Sequence, residues 1–367
     1  MYIDKHEKTI FEWRFTPMAN YICPTFQVTR SESNTPRGLA LILFLIRNKK
    51  RNFNSVSVEK LYQCSTCYLC SSLSYDESDP ALLFMAARAD IVDKGLAPRA
   101  VNDLKNKIIN FNSDNIINFK IFKKKSDIAL FIDPLTLEDS KDEIEANLKL
   151  LEKAKVDFSV FGSKKGSGAQ LFEIGFRDYA KEIANMNLKE IILSGIKKLI
   201  FLSPYDFRAF SQWYKEMGVK VPEDIELIPY PKFILNLIKE NKLTFRDGKN
   251  KTVTYHDSGN YSRIENGFLE INEILSHIPN TKYIPMLKSG VKAGCDGGDF
   301  LHYIYPDIQS SITRKRLDEA IETGAKILLT SCFYAKNNFT RELKSNLDVA
   351  NLEVMDLGKF LLKYLIQ

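Results

Sequence analysis

Four of the six cysteines lie within the first 70 residues, and three of them share one short segment. Cys64, Cys67 and Cys70 form a C-x2-C-x2-C motif, a spacing that lets three thiolates of one loop bind three irons of a cubane. The fourth ligand that a cubane needs can come from Cys23, which precedes Pro24 and lies 41 residues before Cys64. These residue types and their spacing predict one [4Fe–4S] cluster, with the four cysteines as its iron ligands.

The position of Cys23 has a parallel in two-cluster bacterial ferredoxins, where a cysteine followed by proline binds the cluster of the other motif. No cysteine precedes Cys23, and Ser74 with Tyr75 stands where a second cysteine–proline pair would be expected. One ligand set is therefore absent and the other is complete. A zinc site remains an alternative because four thiolates also suit tetrahedral zinc, although zinc sites usually combine two C-x2-C pairs.

The length and composition indicate a folded, water-soluble chain. Its 367 residues, of which 44% are apolar, suffice for two or three domains. The longest apolar run, Leu39 to Ile46, has eight residues, whereas a membrane-spanning helix needs roughly 20. Because the N-terminus also has no signal-peptide pattern, we expect a cytoplasmic protein, with peripheral attachment to the inner face of the membrane as a further option.

The net charge of +6 does not predict nucleic-acid binding, because Lys and Arg are spread among acidic residues. The one dense basic run, Lys120 to Lys125, follows a polar, Asn-rich stretch, Asn110 to Asn118. We interpret this run as a solvated linker, with a docking patch for an acidic partner or a lipid surface as the alternative.

The cysteine motif is expected to lie among helices and loops up to residue 120, where we place the first domain boundary. The predicted helices before it are 37–47, 58–63 with Ser57 as N-cap, 80–92 ending before Gly95, and 100–109. From Asp127 onward, short apolar runs alternate with longer helical ones, which indicates strand–helix–strand units.

The back half of the chain contains an internal repeat. Gly195 to Ser203 aligns with Gly324 to Cys332 at an offset of 129, and the boundary between the copies is placed near residue 248. The predicted strands are 128–132, 158–161 and 198–202 in the first copy, and 252–255, 283–285 and 326–330 in the second. The predicted helices are 142–155 and 176–186 in the first copy, and 265–278, 314–323 and 357–365 in the second.

Several segments carry a resemblance to a known family: C-P-T at Cys23, P-R-G at Pro36, L-Y-Q-C-S-T-C at Leu61 and A-A-R-A-D-I-V-D-K-G-L-A-P at Ala86. The chain resembles the iron–sulfur subunits that join a helical two-cluster ferredoxin domain to two cysteine-rich CCG repeats. The B and D subunits of heterodisulfide reductase and the iron–sulfur subunits of glycolate oxidase and anaerobic glycerol-3-phosphate dehydrogenase belong to this family. The resemblance implies an α+β multidomain fold: an N-terminal α-helical ferredoxin domain (1–120), followed by two tandem α/β CCG-type repeats (121–248 and 249–367).

In that family each repeat carries five cysteines that hold a noncubane cluster or a metal, and the resemblance implies that most of them are lost here. The matching positions in the first repeat are Pro134, Gly166, Ser167, Ser203 and Asp206. Those in the second repeat are Gly259, Cys295, Asp296, Cys332 and Ala335. We therefore expect no noncubane cluster and do not transfer the disulfide-cleaving activity.

The two cysteines of the second repeat are expected to lie near each other if the fold is kept. Cys295 and Cys332 could then form a redox-active disulfide, or a weak metal site with His256 and Asp296. The alternative is that they are two buried thiols without a function, since cysteine is among the most buried residue types.

The resemblance implies an electron-transfer subunit of a multi-subunit oxidoreductase, without catalytic residues of its own. The expected partners are a flavoprotein dehydrogenase subunit, which would carry FAD, and a membrane quinone-reducing or other iron–sulfur subunit. Electrons would pass from the flavin to a quinone or another acceptor. Two alternatives are kept: an adaptor subunit of a redox complex whose cluster is structural, and thiol–disulfide chemistry at Cys295 and Cys332. Nucleic acid is not expected as a partner.

Overall fold

The computed structural model describes residues 1–74, 78–111, 126–161, 165–264, 267–345 and 352–366. The chain divides into two compact units, each built from non-contiguous segments. Unit 1 contains Met1–Asn110, Gln170–Ala180 and Gly294–Arg316, and unit 2 contains Phe111–Ala169, Lys181–Ala293 and Leu317–Gln367. The basic run 120–125 and the boundary near residue 120 lie outside the described residues. The sequential three-part division therefore stays a prediction.

Unit 1 is helical in its described residues. Its first segment contains α1 (Glu7–Trp13), α2 (Pro24–Thr29), α3 (Pro36–Arg47), α4 (Ser55–Gln63), α5 (Pro80–Asp93) and α6 (Arg99–Asn110). Short 3-10 turns lie at Tyr2–His6, Glu32–Asn34 and Ser71–Leu73.

Side-chain caps determine where these helices begin. Thr35 accepts a hydrogen bond from Gly38 N–H at the start of α3, and Asp79 accepts one from Leu82 N–H at the start of α5. The prediction that Ser57 caps α4 is wrong. The N-cap is Asn54, and Ser57 is the third helical residue of a capping box, in which each side chain binds the other residue's backbone N–H.

Unit 2 contains two four-stranded parallel sheets with the same strand order, β2-β1-β3-β4 and β6-β5-β7-β8. The first sheet comprises β1 (Ile128–Phe131), β2 (Ser159–Phe161), β3 (Lys198–Phe201) and β4 (Glu226–Pro229). The second comprises β5 (Lys251–Tyr255), β6 (Thr281–Tyr283), β7 (Ile327–Thr330) and β8 (Glu353–Asp356). The predicted tandem α/β architecture is thus confirmed, whereas β4 and β8 are absent from the sequence prediction.

The remaining helices connect and flank these strands. They are α7 (Pro134–Lys153), α8 (Ala169–Glu173), α9 (Arg177–Ser194), α10 (Pro204–Arg208), α11 (Tyr214–Glu216), α12 (Tyr230–Lys239), α13 (Gly259–Ser262), α14 (Leu269–Ser276), α15 (Leu301–Ile304), α16 (Pro306–Glu322), α17 (Phe333–Ser345) and α18 (Leu357–Tyr364). A π turn, Ala209–Trp213, precedes α11. The predicted start of α7 at residue 142 is wrong, because Asp133 caps the helix at Pro134 and a kink at Ser140 interrupts its periodicity.

Both sheets of unit 2 contribute to one apolar core. Leu130 of β1, Val253 of β5 and Leu329 of β7 belong to this core and are no more than 4% exposed. Strands that are buried on both faces read as continuous apolar runs, as in ILLT of β7, because helices cover both sides of a parallel sheet. In the part of the chain that the structure describes, no helix is both long enough and apolar enough to cross a membrane.

Candidate functional site

The C-x2-C-x2-C segment forms a tight loop directly after α4. Cys64 follows the last residue of this helix in an extended conformation. Thr66 and Tyr68 then adopt left-handed conformations, with φ of 45° and 61°, which non-glycine residues rarely do. The loop therefore turns sharply between successive cysteines, and the side chain of Tyr68 is buried.

Cys23 reaches the same region from a separate segment. It is the N-cap residue of α2, and its Sγ accepts hydrogen bonds from the backbone N–H groups of Thr25 and Phe26. Thr25 Oγ1 donates to the carbonyl of Gln63 over 3.2 Å, which holds the start of α2 against the residue that precedes Cys64. The proline after Cys23 occupies the first helical position, where its missing N–H costs nothing.

The four predicted ligands line one pocket of unit 1, namely Cys23, Cys64, Cys67 and Cys70. Apolar side chains, among them Leu39, Leu69 and Phe84, form much of its wall. All four thiols are free. In the described parts of the chain, no three or more His, Cys, Asp or Glu side chains are grouped so that they could hold a metal ion.

The chemistry of these sulfurs fits a cluster better than it fits a solvated thiol site. Burial raises the pKa of Cys64 to about 11 and the pKa values of Cys23 and Cys70 well above the usual range. Without cationic ligands nearby the thiols stay protonated, and bound irons would displace those protons. Backbone N–H groups already point at the sulfurs, as Thr66 N–H does at Cys64 Sγ over 3.4 Å. Such donors stabilise thiolates that bind iron.

Arg88 in α5 holds the cysteine loop from within, and sequence reasoning assigned it no role. Its guanidinium is fully buried and donates to the carbonyls of Leu61 and Cys64, the latter over 2.6 Å. It also donates to the Glu173 carbonyl over 3.1 Å and lies against the ring of Phe300. An arginine inside the apolar run of residues 81–91 was the available signal, because buried arginines need partners.

The loop around Cys295 belongs to unit 1, with the cysteine motif. Cys295 Sγ lies 3.5 Å from Ser65 Oγ, and its thiol forms a hydrogen bond with the thiol of Cys67. This hydrogen bond, together with burial, raises the pKa of Cys295 well above its ordinary value. Spacing along the sequence contains no signal for this proximity, because 230 residues separate Cys295 from Ser65.

The other predicted positions of the second repeat lie apart from this loop in the chain division. Cys332 belongs to unit 2, where it packs with Met286, Leu328 and Phe339. His256 is buried against the ring of Phe339, with the ring centres 5.0 Å apart. A disulfide or metal site that includes Cys295 and Cys332 stays a prediction.

In the first repeat, the positions aligned with lost cysteines meet in a buried polar group. Ser167 Oγ donates to Asp206 Oδ1 over 2.5 Å, and Tyr214 Oη donates to the Ser167 carbonyl. Asp133, at the end of β1, lies beside Gly166, where an added Cβ would be 2.5 Å from Asp133 Oδ1. Burial raises the pKa of Asp133 to about 6 and that of Asp206 well above its usual value.

Comparison with known proteins agrees with this architecture. Residues 253–339 match the model of the CCG cysteine-rich domain. The D subunit of the dihydromethanophenazine:CoB–CoM heterodisulfide reductase of Methanosarcina barkeri is 27% identical over 80% of this chain and 76% of its own length. A probable iron–sulfur-binding oxidoreductase of Bacillus subtilis, FadF, is 26% identical over 51% of this chain and 26% of its own length.

A solved structure shares the fold. A hypothetical protein from Helicobacter pylori superposes with a TM-score of 0.62 at 12% identity, covering all of this chain and 76% of the other. With the matching domain, the two sheets of equal strand order and the similarity to the Methanosarcina reductase, the chain belongs to the CCG-repeat iron–sulfur subunits.

Proposed function

We propose that this chain is an electron-transfer subunit of a multi-subunit oxidoreductase, with one [4Fe–4S] cluster on Cys23, Cys64, Cys67 and Cys70. The chain would relay electrons between a flavoprotein dehydrogenase partner and a quinone or another acceptor. Substrate chemistry belongs to the partner. When bound, the cluster supplies reversible one-electron transfer.

The observation that carries the proposal is the shared pocket of the four cysteines, because two separate segments of unit 1 bring their sulfurs to it. The apolar wall excludes water, and the N–H groups of Thr25, Phe26 and Thr66 donate to the sulfurs of Cys23 and Cys64. Exposure and hydrogen bonds to sulfur are the means by which a protein sets the potential of such a cluster. The chain thus supplies ligands and their surroundings.

The partners are inferred from the names of relatives and from one surface. A relative in Syntrophomonas wolfei, 24% identical over 60% of this chain and 31% of its own length, is an EtfAB:quinone oxidoreductase. Near Cys23 in the chain, unit 1 exposes four large apolar side chains: Phe11, Phe15, Met18 and Tyr21. Exposed apolar patches of this kind are typical of protein interfaces. They support a subunit role for this chain.

The test is anaerobic purification with iron, sulfide and zinc analysis, followed by an EPR spectrum after dithionite reduction. We expect about four irons and four sulfides per chain and one S = 1/2 signal, as a single cubane requires. Cys67→Ser should lose most of the iron and the signal. Cys332→Ser is the matched control, because Cys332 packs in unit 2, and it should keep both.

Three results would contradict the proposal. Zinc without iron would leave an adaptor subunit with a structural metal. A second iron centre would show that the repeat around Cys295 and Cys332 still binds metal. Equal iron loss in Cys67→Ser and Cys332→Ser would show that the motif is not the ligand set.

A further inference from the structure

Cys295 is a fifth thiol beside the four candidate ligands. Its side chain is 7% exposed, and Gly297 N–H donates to its Sγ over 3.3 Å. The sulfur therefore accepts one hydrogen bond from its own loop, and its S–H proton is left to donate elsewhere. Two acceptors are within reach, Ser65 Oγ at 3.5 Å and the sulfur of Cys67.

Glycines allow the Cys295 loop to approach the cysteine motif this closely. Gly298 has φ of +76°, and a Cβ at this position would lie 3.0 Å from the carbonyl oxygen of Ser65. Gly297 has φ of +106°, and a Cβ there would lie 2.9 Å from the side chain of Gln309. Other residues would be strained at both positions, so the backbone conformation keeps Cys295 at this place.

We propose that Cys295 is a positioning residue of the candidate cluster site, whose S–H donates to Cys67 Sγ and raises the reduction potential. This inference rests on the function proposed above, in which Cys67 is a thiolate ligand. A thiolate attracts the proton more strongly than the neutral Ser65 hydroxyl does, because charge-assisted hydrogen bonds are roughly twice as strong as neutral ones. Ser65 can then turn its own proton toward Cys295.

The direction of the effect follows from charge. Reduction adds one negative charge to the site, and a donor aimed at Cys67 Sγ stabilises the more negative state to a greater degree. Cys295 is not expected to be a ligand itself, because Cys23, Cys64, Cys67 and Cys70 already complete a set of four.

The experiment compares wild type with Cys295→Ala and Cys295→Ser after anaerobic reconstitution. Iron and sulfide content is measured first, and then the reduction potential by EPR-monitored titration. The ENDOR signal of an exchangeable proton near the cluster is recorded before and after transfer to D2O. Cys332→Ala, which alters a buried thiol of unit 2, is the matched control.

We expect all variants to hold as much iron as wild type. Cys295→Ala should shift the potential to more negative values and lose one exchangeable-proton coupling. Cys295→Ser, which keeps a donor, should shift it less and provides the comparison if the alanine variant does not fold. Cys332→Ala should change neither quantity.

An unchanged potential in a fully loaded Cys295→Ala protein would overturn this inference and leave the proposed function intact. Loss of iron from Cys295→Ala to the level of Cys67→Ser would also overturn it, because Cys295 would then be a ligand. Absence of iron from the wild-type protein would instead refute the proposed function, on which this inference depends.

Discussion

Single residues decide whether the thiol pocket keeps its shape, and Arg88 is the main example. Its guanidinium satisfies the carbonyls of Leu61, Cys64 and Glu173, three groups that water cannot reach easily at this depth. Each buried carbonyl without a donor costs about 1–3 kcal/mol. The loop that carries Cys64, Cys67 and Cys70 therefore depends on a residue that contacts the loop only through its backbone.

We expect Arg88→Leu to lower the free energy of unfolding by about 2–5 kcal/mol, because buried carbonyls lose their donors. Iron content after reconstitution should fall with it, since Cys64 is no longer held. Urea unfolding by circular dichroism measures the first effect and iron analysis the second. Arg99→Leu is the control, because Arg99 is 95% exposed, and it should change stability by less than about 0.5 kcal/mol. Equal stability of both variants would contradict the role of Arg88.

At the same scale, the sequence predicted chemistry better than contacts. Spacing alone predicted the motif of Cys64, Cys67 and Cys70 and its partner Cys23, because ligand geometry restricts spacing. The roles of Arg88 and Cys295 depend on tertiary neighbours far away in the chain, such as Glu173 and Ser65. No local pattern encodes such neighbours.

At the scale of elements, the packing of α18 on α7 joins the two repeats within unit 2. Asn147 Nδ2 in α7 donates to Asp356 Oδ1 over 2.8 Å, and Asp356 is the N-cap residue of α18. Gly358, in the first turn of α18, leaves room for this contact, since a Cβ there would overlap the side-chain oxygen of Asn147. The glycine is thus required by close approach and not by its backbone angles.

Gly358→Ala should destabilise unit 2 by about 1–3 kcal/mol, the usual cost of overpacking, although alanine favours a helix more than glycine does. Thermal unfolding monitored by circular dichroism is the measurement. Lys363→Ala, at a partly exposed position of the same helix, should leave the midpoint within a few degrees of wild type. A more stable Gly358→Ala protein would show that helix propensity outweighs the contact with Asn147.

Element boundaries were predictable where punctuation is local and unpredictable where it is shared. Pro80 starts a helix as expected, because proline suits the first helical position. The strands β4 and β8 were missed, since each has only four residues and begins with a charged one, Glu226 or Glu353. Their place at the end of each sheet is set by pairing with β3 and β7.

At the scale of the whole molecule, buried carboxyl groups make stability depend on pH. Burial raises the pKa of Asp133 and Asp356 to about 6 and that of Asp206 further. The unfolded chain releases these protons near pH 4, whereas the folded protein retains them to higher pH. Because the unfolded state therefore binds fewer protons between about pH 4 and the folded pKa values, stability from these groups falls as pH rises through this window.

We expect Asp206→Asn to be more stable than wild type at pH 8 and to show a much smaller advantage at pH 5. An asparagine cannot ionise, and its side-chain oxygen still accepts the hydrogen bond of Ser167. Urea unfolding at both pH values gives the comparison, and Asp224→Asn, at an exposed ion pair with Lys197, serves as the control. A difference between Asp206→Asn and wild type that does not grow with pH would refute this account of the buried pair.

The discontinuous make-up of unit 1 has a consequence for the order of events during biosynthesis. The first 110 residues leave the ribosome with all four candidate ligands, but unit 1 also needs the segments 170–180 and 294–316. Arg88 cannot bind the Glu173 carbonyl, and Cys295 cannot reach Cys67, until most of the chain has been made. Contacts between distant segments form slowly because closing long loops costs entropy. A nascent chain must therefore carry unprotected thiols through most of its synthesis, and iron and sulfide are best delivered after translation has passed residue 316.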